Sequence, residues 1–187
     1  MRNVSKILVV VAAAALTVTG CVSQDQASDE PPGDTQTFSE PAAPERSADP
    51  DAPECTAADI QVEGAPGEKP TVTLPEDCSA PTELIVEDLA PGDGPEAAEG
   101  GAMQAHYALT AWSTGEEVEA SYGQSPLPID SIGVGMIEAW NQGLVGMRQG
   151  GRRLIVAPPD MAYAGSGNEL QDETLVFVVD AVEITAP

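Results

Sequence analysis

Positive charge is scarce in this chain: seven Lys and Arg stand against 31 Asp and Glu, a formal net charge of -24 over 187 residues. A surface that grips phosphate backbones by releasing counterions needs clustered cations, so nucleic acid is excluded as a main partner. Histidine occurs once, as His106, and cysteine three times. That is too few soft ligands for a zinc cage or a metal triad, and neither metal nor other cofactor is expected. No Gly-x-x-x-x-Gly-Lys loop, Gly-x-Ser-x-Gly elbow or Asp-rich calcium loop is present, which removes support for nucleotide binding, serine hydrolysis and calcium. His106 falls within an alternating segment, on the face opposite Tyr107, and reads as a structural or surface residue. Aromatics number seven, so the core must be mostly Val, Leu, Ile and Ala.

What is present begins with an address. Arg2 and Lys6 precede an apolar run, Ile7 to Leu16, too short to span a bilayer, and Val18-Thr19-Gly20-Cys21 follows. This order is that of an export signal. Its last four residues resemble the lipobox of bacterial lipoproteins, in which the cysteine is acylated and becomes the mature N-terminus. Residues 1–20 are therefore expected to be a lipoprotein signal peptide and Cys21 the lipid attachment, anchoring the chain to the outer face of the bacterial cell membrane. An ordinary secretory signal with an incidental cysteine is the alternative. With Cys21 so used, Cys55 and Cys78 remain as a pair in an oxidising setting, read as one disulfide, with two free buried thiols as the alternative.

Composition divides the remainder. Residues 21–53 are Ser, Asp, Glu, Gln, Ala and Pro without periodicity, an acidic tether that cannot bury enough surface to fold. Residues 54–82 carry Ile60-Gln-Val62 and Thr71-Val-Thr-Leu74 between Pro and Gly, read as a short strand or hairpin stapled by the cysteines and docked on the main domain. From 83 to 187 the pattern is dense. Strands are expected at Glu83–Leu89, Met103–Thr110, Glu117–Ser121, Arg152–Ala157 and Thr174–Ile184, with an irregular crossing at Pro126 and Pro128. Met136, Ile137, Trp140 and Leu144 form the stripe of one short amphipathic helix ending near Gly146. Strands, one helix, then strands, without βαβ alternation, predict an α+β domain with an antiparallel sheet wrapped on a helix.

Five ordered stretches of this domain resemble the FKBP-type peptidyl-prolyl cis-trans isomerases: His106-Tyr107; Gly135-Met-Ile-Glu-Ala-Trp140 with Gly143-Leu-Val-Gly-Met147; Gly150-Gly-Arg-Arg153; Pro158-Pro-Asp-Met-Ala-Tyr163; and Thr174-Leu-Val-Phe177. The resemblance implies a twisted antiparallel sheet of five or six strands curled round one short α-helix, and rotation about the bond before proline as the activity. It places Trp140 as the floor of an apolar pocket, Tyr107, Phe177 and Leu127 as walls, and Met136 on the rim. Ile137 would lend its side chain and backbone N–H, and Tyr163 its hydroxyl, to the bound peptide. Proline-containing polypeptides are the implied substrates, macrolides are possible ligands, and a monomer is expected.

The same resemblance marks departures. Where the family usually has Phe-Asp after the Ser-Thr-Gly turn, this chain has Val118-Glu119; Val118 is expected to leave the pocket wall incomplete, and Glu119 to keep the charge on a longer arm that misplaces its hydrogen bond to Tyr163 or a neighbouring arginine. The loop from Ala164 to Glu173 is short, with Leu170 its one apolar candidate for a flap over the substrate, and Ala164 replaces the usual glycine. Two functions follow: a membrane-anchored isomerase assisting folding of exported proteins, or a catalytically weak module that binds proline-containing segments of partners.

Overall fold

Eight β-strands and one short α-helix organise residues 52–187, the part of the chain that the computed structural model describes. The expected signal peptide, Cys21 and nearly all of the expected tether lie outside these residues. Strands β1 (Gln61–Glu63) and β2 (Thr71–Thr73) pair as an antiparallel hairpin. Six more form a second sheet: β3 (Ile85–Ala90), β4 (Ala102–Ala111), β5 (Glu117–Ala120), β6 (Leu127–Ile129), β7 (Arg152–Ala157) and β8 (Leu175–Thr185). Their order is β3-β7-β8-β4-β5, antiparallel throughout, with β6 on the N-terminal part of β4. The helix α1 (Glu138–Gly143) packs on β7. This is the predicted α+β architecture, with six strands.

Side-chain alternation explains why the central strands are buried on both faces. On β8, Leu175, Phe177, Val179 and Ala181 join Trp140, Leu144 and Met147 in the core beneath the helix. Val176 and Val178 point the other way and, with Leu154 and Val156 of β7, pack on Ile60, Leu74 and Cys55. One short helix covers only one face, so residues 54–82 form the layer that keeps the second face dry. Of the two readings, strand or hairpin, the structure has the hairpin, and the Cys55–Cys78 disulfide is there. With 23 residues of separation, the bridge is expected to stabilise the fold by about 3 kcal/mol. Thermal melts of the full chain should show a lower midpoint after reduction or in a Cys55→Ser/Cys78→Ser variant; an unchanged midpoint would contradict this.

Consecutive arginines on β7 fasten the two layers. Arg152 is 2% exposed; its Nε and Nη2 donate to the two Asp180 oxygens at 2.6 and 2.7 Å, and its Nη1 and Nη2 donate to the Gly64 and Glu68 carbonyls of the β1–β2 connection at 2.8 and 2.6 Å. Asp180 also accepts the Gly67 N–H at 2.7 Å and the Tyr122 hydroxyl at 2.8 Å. Arg153, on the opposite face, pairs with Asp88 at 2.6 Å and donates to the Gly143 and Val145 carbonyls at 2.8 and 2.9 Å. These carbonyls lie at the end of α1, where helical bonding runs out. Gly143 lets the helix approach the sheet: a Cβ there would meet Ile155 Cδ1 at 2.8 Å.

Two local expectations are corrected. The crossing at Pro126 and Pro128 contains strand β6, with Pro128 opposite Gln104; three residues off the main strand order tolerate a proline because few ladder bonds are asked of it. The helix is also shorter than the apolar stripe. Met136, in a bend, and Ile137 precede it, Ile137 being its N-cap in extended backbone at φ -60° and ψ 151°.

Candidate active site

The site is built on Trp140, in the first turn of α1, because the apolar face of a one-helix domain must rest on the sheet. Tyr107 of β4 and Phe177 of β8 stand edge-to-face with its indole, with centroids 5.6 and 5.5 Å away and interplanar angles of 85° and 80°. Such edge-to-face contacts fix the three rings beyond what area burial alone provides. Although Trp140 is 2% exposed, it is not sealed: with Tyr107 and Phe177 it lines an open cavity of about 570 Å³. Leu127, Met136, Ile137, Tyr163 and Glu119 line it too, so eight of the ten expected positions meet in one place, Val118 and Leu170 being the exceptions.

Val118 and Leu170 are the two corrections. The β4–β5 ladder pairs Leu109 with Glu119 and Thr110 with Glu117, leaving Val118 as the extra residue of a bulge. The bulge turns Val118 outward, where it is 47% exposed and does not line the cavity, while Glu119 does. Leu170 packs partly buried against the core instead of forming a flap. Its loop is drawn in by the Leu170 N–H donating to Asn168 Oδ1 at 2.6 Å and the Glu173 N–H to the Leu170 carbonyl at 3.2 Å.

The polar groups of the cavity are few. Ile137 accepts from the Trp140 and Asn141 amides at 2.9 and 3.0 Å, but its own N–H makes no hydrogen bond among the described residues. Asn141 holds this segment, donating to the Met136 carbonyl at 3.1 Å and accepting the Met136 N–H at 3.3 Å. Sequence reasoning missed Asn141; its signal was an amide one position past Trp140 in the first helical turn, where free N–H groups need acceptors. Tyr163 follows the turn Pro159–Met161, and its hydroxyl also has no partner among the described residues. The Trp140 Nε1 is likewise buried and unpartnered. Leu109, Gly135, Glu138 and Ala162 complete the lining and were not anticipated.

Burial, and then the neighbouring Glu119 carboxylate, push the Tyr107 phenol up to about 12. Glu119 stands beside Tyr107, and the three described arginines are committed to Glu96, Asp180 and Asp88. An unfolded tyrosine ionises near pH 10, so between about pH 10 and 12 the unfolded chain gives up a proton that the folded chain keeps. Stability should be full below pH 10 and fall across that window. Tyr122, raised by burial and Asp180, acts in the same direction. Denaturant midpoints across this range should fall less steeply for Tyr107→Phe than for wild type; equal slopes would contradict the assignment.

His106 lies outside the cavity. It stacks on Tyr122 at 5.1 Å, with Nδ1 3.1 Å from Ser121 Oγ, and that oxygen accepts the Tyr107 N–H at 3.0 Å. The structural reading of this histidine stands.

Among the described residues no group of His, Cys, Asp and Glu is placed to hold a metal, and no helix is long and apolar enough to cross a membrane. A sequence model of the FKBP-type peptidyl-prolyl cis-trans isomerase family matches residues 94–182. The protein named "Probable FK506-binding protein" in Corynebacterium glutamicum is 41% identical over 120 residues, which cover 62% of this chain and 98% of that protein. An FK506-binding protein of Streptomyces anulatus is 42% identical over 123 residues, 63% of this chain and 98% of its own length. One from Neisseria meningitidis serogroup B is 36% identical over 107 residues, 54% and 95%. With these relatives spanned almost end to end, and with the aromatic cavity in place, the chain belongs to the FKBP-type peptidyl-prolyl cis-trans isomerases.

Proposed function

We propose that this isomerase turns Xaa-Pro bonds of exported proteins while held at the outer face of the bacterial membrane by lipid on Cys21. The anchoring part of the reading is supported by the sequence of residues 1–21, and the setting by a disulfide suited to an oxidising compartment. The observation that carries the chemistry is the cup of Tyr107, Trp140 and Phe177 opening to solvent.

Rotation about a prolyl amide is slowed by resonance, with a barrier of about 18–20 kcal/mol, and no bond breaks. The site therefore needs to prefer the twisted amide over both planar forms. The prolyl ring sits against Trp140 between Tyr107 and Phe177, which exclude water. In the twisted state the carbonyl loses charge, so a dry cavity favours it relative to the planar amide, and each ~1.4 kcal/mol of preference gives tenfold in rate. The free Ile137 N–H and Tyr163 hydroxyl hold carbonyls of the substrate chain, and Asn141 keeps Ile137 in position. Macrolides of the FK506 type are proposed to occupy the same cavity.

Exchange between cis and trans forms of an Xaa-Pro peptide, followed with catalytic amounts of the full chain, tests this. Acceleration that a macrolide suppresses is expected. Macrolide binding without acceleration would instead establish the proline-binding module, and neither would exclude the cavity from both roles. Attachment is tested separately, by labelling cells with a fatty-acid analogue: wild type should carry label and Cys21→Ser should not.

A further inference from the structure

We infer that this site selects proline segments carrying Lys or Arg beside the proline, a refinement that rests on the isomerase reading above. Two carboxylates line the cavity from different elements, Glu119 from β5 and Glu138 from the start of α1, and the remaining lining is apolar or phenolic. Glu138 is held in place by Gln142 Nε2 at 2.7 Å and Asn141 Nδ2 at 3.4 Å. No protein cation answers either charge. The described residues contain four Lys and Arg, and each is committed elsewhere: Lys69 to Glu117, Arg148 to Glu96, Arg152 to Asp180 and Arg153 to Asp88.

The polar inventory of the same cavity suits a peptide. At the floor of the same cavity, Trp140 is 2% exposed and its Nε1 is the one buried side-chain polar atom without a partner among the described residues. The free Ile137 N–H is a donor that suits a backbone carbonyl, while the two carboxylates suit cationic side chains of the same segment. The chain-wide charge of -24 adds a field of the same sign, which draws basic segments in and turns acidic ones away.

The test compares peptides identical except for Lys, Leu or Glu next to the proline, assayed with the full chain at low and at high salt. For exposed charge pairs the expected kcat/KM advantage of Lys over Leu is roughly two- to fivefold at low salt, with Glu slowest, and the spread should collapse near 1 M salt. Glu138→Gln should narrow the Lys-to-Glu ratio, and Glu138→Lys should reverse the order. Equal rates for all three peptides at low salt, or a ratio indifferent to both variants, would overturn the inference while leaving the isomerase intact. No acceleration of any peptide would overturn both.

Discussion

Replacing Arg152 with Met while Asp180 remains is expected to lower the unfolding free energy by about 3–5 kcal/mol, because it strands a buried carboxylate. Asp180 is 3% exposed and keeps only the Gly67 N–H and Tyr122 hydroxyl once the guanidinium is gone. The hairpin loses two further bonds, since the Gly64 and Glu68 carbonyls face Arg152. Denaturant unfolding of the full chain measures the loss. A double variant, Arg152→Met with Asp180→Leu, should recover much of it, as a well-packed apolar pair removes the unpaired charge. A single variant as stable as wild type would mean that residues 54–82 are an ornament on the domain instead of a layer of it.

The second large effect falls on catalysis. Combining Tyr163→Phe with Phe177→Ala removes one carbonyl donor and one wall of the cup, and kcat/KM should fall by on the order of a hundredfold or more. Phe177 is 3% exposed, so its loss also costs about 3–5 kcal/mol of stability. Tyr163→Phe alone separates the two: partly exposed in a loop, it should leave the melting midpoint in place and reduce kcat/KM by roughly tenfold, the worth of one hydrogen bond made in the transition state. Full activity in the double variant would remove the cavity from the reaction.

Much of this was legible in the sequence, and for identifiable reasons. Period-two alternation in Met103–Thr110 and the apolar run through Val179 located β4 and β8, and the spacing of Trp140 and Leu144 located α1. Val118 was misplaced because a bulge is a property of strand pairing, set by how Leu109 and Thr110 meet β5, and no local pattern announces it. Leu170 was misplaced because its apolar character is satisfied by the core, with Asn168 folding the loop onto it. The role of Arg152 was hidden for a related reason: its acceptors are carbonyls from a hairpin more than eighty residues away, and backbone acceptors leave no mark on a side-chain sequence. Asn141 escaped notice because it acts on the backbone of Met136.

The central claim is that one prolyl ring, seated on Trp140, is where rotation is eased. Exchange NMR on a single mixture of full chain and Xaa-Pro peptide can follow the peptide's cis-trans rate and the Trp140 indole N–H signal together. The account predicts that the signal shifts on titration with the same concentration dependence as the acceleration, while Trp112, packed on the far face of the sheet, stays still. Acceleration with the Trp140 signal unmoved would contradict it.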